Sequence, residues 1–221
     1  MSLTTLDQVA AQAGRDLEGA RAEEILGWAF QTFGDRLAIA SSMETGVLAH
    51  LAGRVAPGVD VLFLDTGYHF AETLGTRDAI ASAYDVTVLT LSAGRPDDKL
   101  YETDVDACCQ ARKVDPLDAA LGSYDAWASG VRRDESPLRS ATPVVGWDAK
   151  RGKVKVNPLA AWTEADVTSY VETHGILVNP LLLDGYPSIG CAPCTKRVAP
   201  GDDPRSGRWA GSAKTECGLH V

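Results

Sequence analysis

Long apolar runs are missing from this sequence: no stretch approaches the ~20 residues that a membrane-spanning helix requires. A basic excess is missing too. Lysine and arginine number 21 against 30 aspartates and glutamates, a formal net charge of −9. That balance argues against a protein that coats nucleic acid. The first residues, "MSLTTLDQVAAQAGRDLEGA", hold neither a basic nor an apolar signal region. A cytoplasmic protein with no membrane and no nucleic-acid partner is therefore expected. Internal repeats and low-complexity segments are absent, and so is the G-x-x-x-x-G-K-[ST] loop, which disfavours a kinase-like NTPase. Cysteine is scarce and odd in number. Five residues leave one thiol over in any disulfide scheme, in a compartment where structural disulfides are rare.

What is present describes an ordinary globular chain: 221 residues, 45% hydrophobic and 23% charged. The length suits one generous domain, or one domain with an appended segment. "RAEEILGWAFQTFG" reads as an amphipathic helix ending at Gly34. "RLAIA", the small polar loop "SSMETG" and the helical "VLAHLAGRVA" then form a strand–loop–helix unit. "VDVLFLDTG" repeats it, with a helix from about residue 69 to 83, and "YDVTVLTL" is a third strand. Such alternation predicts an α/β fold: an open, mostly parallel sheet flanked by helices. "DACCQARKVDPLDAAL" is expected to be helical and interrupted at Pro116. "YDAWASG" and "GKVKVNPLAAW" read as strands, and "TEADVTSYVETHG" as a helix capped by Thr163 and Gly175. From Asn179 onward the chain is rich in proline and glycine and shows no period. We divide it into an α/β domain, 1–180, with an N-terminal helix, and a C-terminal segment, 181–221, with a mobile tail.

The cysteines are Cys108, Cys109, Cys191, Cys194 and Cys217. Cys191 and Cys194 form a C-x₂-C pair, a spacing shared by zinc clips, iron–sulfur sites and redox pairs. Adjacent side chains on a helix diverge by ~100°. Cys108 and Cys109 are thus awkward partners for one tetrahedral zinc ion and better suited to separate corners of an iron–sulfur cube. A zinc clip, and a pair of buried small hydrophobes, remain the alternatives.

Ser41, Ser42, Thr45 and Gly46 lie between a strand and a helix, where backbone N–H groups favour an anion. Glu44 is an awkward neighbour there, expected to point away. Asp65, Thr66 and Gly67 end the next strand, at the edge where open α/β sheets bind ligands. Arg132, Arg133 and Arg139, with Arg205 and Arg208, offer forks for phosphate or sulfate oxygens. Surface ion pairs with Asp134, Glu135, Asp202 and Asp203 are the plainer reading. Between Gly185 and Val221, five basic residues face three acids, which suggests a small anionic ligand.

Taken together, "FLDTGYHFAET", "CCQARKVDPL", "GVRRDESPLR", "YPSIGCAPCTKRV", "GDDPRSGRW" and "ECGLH" resemble the assimilatory adenylyl-sulfate reductases, from about Leu37 to His220. The related 3′-phosphoadenylyl-sulfate reductases lack the paired cysteines. The resemblance implies an adenine nucleotide alpha hydrolase-like fold. It implies one 4Fe–4S cluster on Cys108, Cys109, Cys191 and Cys194, and Cys217 as the nucleophile. Substrate contacts are implied at Ser41, Ser42, Lys113, Arg132, Arg133, Arg205 and Arg208, and adenosine contacts at Asp65, Thr66 and Gly67. His220 is an assisting candidate. The implied partners are adenylyl sulfate and thioredoxin or a similar dithiol carrier, within sulfate assimilation and cysteine biosynthesis. Alternatives are an enzyme for the 3′-phosphorylated or both nucleotides, an ATP-using adenylyltransferase, or a zinc-clipped nucleotide-binding protein without catalysis. A homo-oligomer stays open.

Overall fold

Central strands that must be covered on both faces are written almost wholly in apolar residues, and two strands here are of that kind. β1 (Leu37–Ala40) and β4 (Ala126–Ser129) lie side by side in the middle of one six-stranded sheet of order β3-β2-β1-β4-β6-β5. Leu37, Ala38, Ile39, Ala126, Trp127 and Ala128 are all buried. β2 (Val59–Asp65) and β3 (Val86–Ser92) continue the sheet on one side, and β6 (Lys153–Val156) and β5 (Val145–Asp148) on the other. All pairings are parallel except β5 with β6. The computed structural model describes residues 5–209, 214, 216, 218 and 219.

The chain runs outward from β1 through β2 to β3, then returns to place β4 on the other side of β1. Strand order therefore reverses between β1 and β4. The loops leaving their carboxyl ends diverge and open a crevice. That crevice holds the site.

Helices cover both faces. α2 (Ala22–Phe33) ends at Gly34 with φ +51, and α3 (Val47–Val55) follows the polar loop after β1. α4 (Ala71–Ala83) starts two residues later than the sequence pattern suggested. α8 (Glu164–His174) starts on a reciprocal box: Thr163 Oγ1 accepts from Asp166 N–H at 3.2 Å, and the Asp166 carboxylate accepts from Thr163 N–H at 2.7 Å. Gly175, at φ +58, ends it.

Three features depart from the sequence reading. α1 (Leu6–Asp16) occupies a stretch read only for its lack of a signal; Ala10 and Ala13 are buried, and a Cβ at Gly14 would stand 2.5 Å from the Val145 carbonyl. Small residues let this helix lie against β5, itself an antiparallel edge strand with no apolar run to announce it. The third departure is at Pro116. Short helices α5 (Leu100–Thr103) and α6 (Val105–Cys109) lead into a π-helical turn, Gln110–Val114, and on into α7 (Asp115–Ala120). Pro116 falls two residues after that turn, inside a helical run that continues to Ala120, so the widened turn accommodates its missing N–H without ending the helix. The irregularity is thus a widened turn placed directly after the cysteine pair, and not a break at the proline.

Candidate active site

The pocket opens at the crevice. Its floor is Ala40 and Leu62 to Leu64 from β1 and β2, and Trp127, Ser129 and Gly130 from β4 and the loop after it. It encloses about 220 Å³. Ser41 and Ser42 line it as the chain turns from β1 into α3. Ser41 N–H still donates to Leu62 O (3.1 Å), extending the sheet ladder by one bond. The loop then kinks at Met43, buried with φ +59, a left-handed backbone rarely adopted by a bulky residue. Gly46 closes the turn. Its N–H donates to Leu177 O (2.7 Å), and a Cβ there would meet the Tyr84 ring at 2.8 Å.

Charge is concentrated on the walls. Lys113, Arg132, Arg139, Arg205 and Arg208 line the pocket, and so do Glu44, Glu135 and Glu216. Arg132 comes from the loop after β4, where its Nη2 donates to Glu164 (2.5 Å) and its Nε to Asp134 (3.1 Å). Burial works against the Arg139 charge, but the hydrogen bonds and fields of Glu216 and Glu135 more than offset it and hold its pKa above the ordinary value. Arg205 goes the other way. Burial, with Arg139 and Arg208 beside it, depresses its pKa, and Glu216 only partly compensates. Arg208 Nη1 donates to Ser188 Oγ (3.2 Å) and Ile189 O (3.1 Å), while its Nε is buried and has no hydrogen-bond partner among the described residues. A donor of that kind calls for an acceptor brought by a ligand.

Glu44 does not point away. Its Oε2 accepts from Ile189 N–H (2.9 Å) and it lines the pocket, with Arg208 and Arg132 in range. Burial is the main influence on its pKa and pushes it upward. The backbone donor explains the orientation: it offers a buried partner that solvent-facing geometry could not.

The cysteines gather beside the pocket. Cys108, Cys109, Cys191 and Cys194, none of them in a disulfide, surround one small cavity, together with Thr66, Tyr68 and Arg112. Burial pushes the Cys194 thiol up to about 11, with Cys191 and Cys109 adding to it, and burial likewise raises Cys108. Four soft donors crowd together, an arrangement that suits a site completed by a cation. Among the described residues, no three His, Cys, Asp or Glu side chains converge on a single-ion site. Arg112, 3% exposed, braces the cavity: Nη1 donates to Thr66 O (2.9 Å), Nη2 to Asp98 (2.9 Å), and the guanidinium lies over the Tyr68 ring. Lys113, Arg208 and Trp209 line both cavities. They are the physical link between them.

The other sequence candidates are placed as follows. Thr66 Oγ1 lies 3.3 Å from Cys191 Sγ, on the cysteine side. Asp65 turns back to accept from Gly67 N–H (2.9 Å), and neither residue lines either cavity; the preceding Leu62, Phe63 and Leu64 reach the pocket instead. Arg133 also faces elsewhere, because Glu18 pairs with its Nη1 at 2.6 Å and Thr142 O accepts from its Nε at 2.7 Å. Cys217 and His220 lie outside the described residues. Arg139, offered as an oxyanion fork but not among the implied substrate contacts, lines the pocket, and Glu44, Glu135 and Glu216 line it with no such role expected of them.

Residues 36–197 match the family model described as "Phosphoadenosine phosphosulfate reductase domain". A Streptomyces coelicolor protein named adenosine 5′-phosphosulfate reductase is 59% identical, over 97% of this chain and 94% of its own. One of the same name from Mycolicibacterium smegmatis is 52% identical, over 98% and 95%. Among solved structures, a phosphoadenylyl-sulfate reductase from Candida auris in complex with phosphate superposes with a TM-score of 0.74 at 26% identity, over 90% of this chain and 100% of that one. An FMN adenylyltransferase from Candida glabrata, in complex with FAD and pyrophosphate, shares the fold alone. Its TM-score is 0.62 at 12% identity, over 95% of this chain and 74% of that one.

Proposed function

The chain belongs to the phosphoadenosine phosphosulfate reductase family, an oxidoreductase family, and from that premise we propose that it reduces adenylyl sulfate to sulfite and AMP. The observation that carries the reading is the charge of the pocket. Five cations face three carboxylates, an excess of two positive charges when all are ionised. The phosphate–sulfate anhydride of adenylyl sulfate carries two negative charges. A 3′-phosphate would add roughly 1.5 to 2 more, with no further lysine or arginine among the described residues of the pocket wall to meet them.

In this reading Lys113, Arg132, Arg139, Arg205 and Arg208 hold the anhydride. Ser41 and Ser42 contribute at the start of α3, and β1 and β2 support the adenosine. The Cys217 thiolate attacks the sulfur. The S–O bond to AMP breaks, AMP leaves with the bonding pair, and an S-sulfocysteine remains. One thiol of a dithiol carrier of the thioredoxin type then attacks the Cys217 sulfur and expels sulfite. Its second thiol resolves the mixed disulfide, so that two electrons pass from carrier to sulfur.

The four gathered cysteines suit a 4Fe–4S cluster, since they ring one small cavity and the adjacent Cys108 and Cys109 side chains diverge toward separate corners. When bound, such a cluster would order the segment and, as a 2+ core on four thiolates, set a net negative charge beside Lys113. The thiols already account for both electrons. Placement in sulfate assimilation and cysteine biosynthesis follows from the sulfite product.

The test is an anaerobic assay of iron-loaded protein with a dithiol carrier. Sulfite and AMP should appear from adenylyl sulfate with kcat/KM at least about 100-fold above that for the 3′-phosphorylated nucleotide, ~2.7 kcal/mol of discrimination. Equal rates would make the enzyme dual. No sulfite from either would remove the reading.

Gly190 offers a finer check. A Cβ there would stand 2.5 Å from Arg208 Nη2 and 2.7 Å from its Cζ. The guanidinium, the free end of a flexible side chain, would yield rather than the backbone. Gly190→Ala should therefore keep the fold but raise KM about tenfold, the loss of one hydrogen bond to a charged group. Steady-state sulfite release and a thermal melt together decide this.

A further inference from the structure

Glu216 belongs to the C-terminal tail, yet its carboxylate stands inside the pocket. It accepts from Arg139 Nε at 2.9 Å and Nη2 at 2.7 Å, and lies 3.2 Å from Arg205 Nη2. The three side chains are only 10%, 12% and 16% exposed. A two-pronged guanidinium contact is the way arginine receives an oxyanion of a ligand.

The tail has anchors of its own. Lys214 pairs with Asp106, beside the cysteine helix. The Leu219 carbonyl accepts from Arg151 Nη1 at 3.2 Å, and its side chain packs on the cluster that contains Leu117 and Trp127. Glu216 is thus not needed merely to attach the tail. Its carboxylate occupies two of the pocket's five cations, and it is the one acid there contributed by the tail.

We propose that Glu216 is a displaceable stand-in for the substrate's anion, holding Arg139 and Arg205 until the phosphosulfate group replaces it. The inference rests on the reductase reading for the identity of the anion. Substrate affinity is reduced by the fraction of molecules in which the two arginines are already taken.

The experiment is calorimetric titration of iron-loaded wild type and Glu216→Gln with inorganic sulfate, adenylyl sulfate and adenosine at fixed ionic strength. Both anions should bind the variant about tenfold tighter, with adenosine unchanged; Glu216→Ala should show the same gain. Sulfate binding that is equal or weaker in both variants overturns the proposal. So does an equal gain for adenosine, which would indicate a loosened pocket rather than a removed competitor. If sulfate gains and adenylyl sulfate binds neither protein, the stand-in role holds and the substrate reading fails.

Discussion

Cys217→Ser is expected to lower sulfite release by at least about 10⁴-fold, the scale on which loss of a catalytic nucleophile acts. Wild-type protein incubated anaerobically with adenylyl sulfate and no reductant should gain ~80 Da, one SO₃ group. Reduced thioredoxin should remove the adduct, and the serine variant should never form it. Other thiols are poor rivals. Cys108 and Cys194 belong to the proposed cluster ligands, and burial raises the pKa of both. The chain on either side of position 217 is brought to the pocket, since Glu216 and Leu219 both line it. Serine fails twice in this scheme: its hydroxyl is a weak nucleophile, and an O-sulfo product has oxygen where the carrier thiol must attack a side-chain sulfur to form the mixed disulfide. Turnover within tenfold of wild type, or an adduct surviving the substitution, would place the chemistry on another residue.

How much of this was legible in the chain depends on what kind of contact made each feature. β1 and β4 were legible because burial on both faces demands an unbroken apolar run, and "RLAIA" and "DAWAS" carry one. The loop after β1 was visible as small polar residues between strand and helix. α1 and β5 were not, because their packing rests on small residues, Gly14 against Val145, which leave no strong period. The cysteine cavity was legible from identity alone, since thiols in close array have few other uses. Charged side chains were read least well. "GVRRDESPLR" announces arginines but not their direction, and Arg132 enters the pocket while its neighbour Arg133 is drawn off by Glu18, 115 positions earlier. Glu44 was misjudged for the same reason: its partner, the Ile189 N–H, is 145 residues away in sequence. Pairing across such distances has no local signature.

Cys194→Ser is expected to remove iron almost completely, erase the absorbance shoulder near ~400 nm, and cut turnover by at least about 10³-fold. The reasoning starts from how little else holds the segment after Asn179. Of its apolar residues, Leu181, Ile189 and Trp209 are buried, and none of the three belongs to either core cluster. Ala192 N–H ties it to Tyr68 O at 2.7 Å, while Trp209 N–H to Cys194 O at 2.8 Å and Lys196 N–H to Gly207 O at 2.9 Å close the segment on itself. A cluster bound to Cys191 and Cys194 would join this segment to α6, and metal bonds in small sites supply on the order of 10 kcal/mol to the structure around them. Without them, Arg205 and Arg208 lose their fixed positions, and two of the pocket's five cations are lost with them. Limited proteolysis should cut the variant within 179–209 while the sheet from β1 to β6 survives, because its core lies elsewhere. A zinc clip would predict the same proteolysis with no colour to lose. A variant that keeps both iron and its absorbance would show that Cys194 is not a ligand, and the four-cysteine assignment would have to be abandoned.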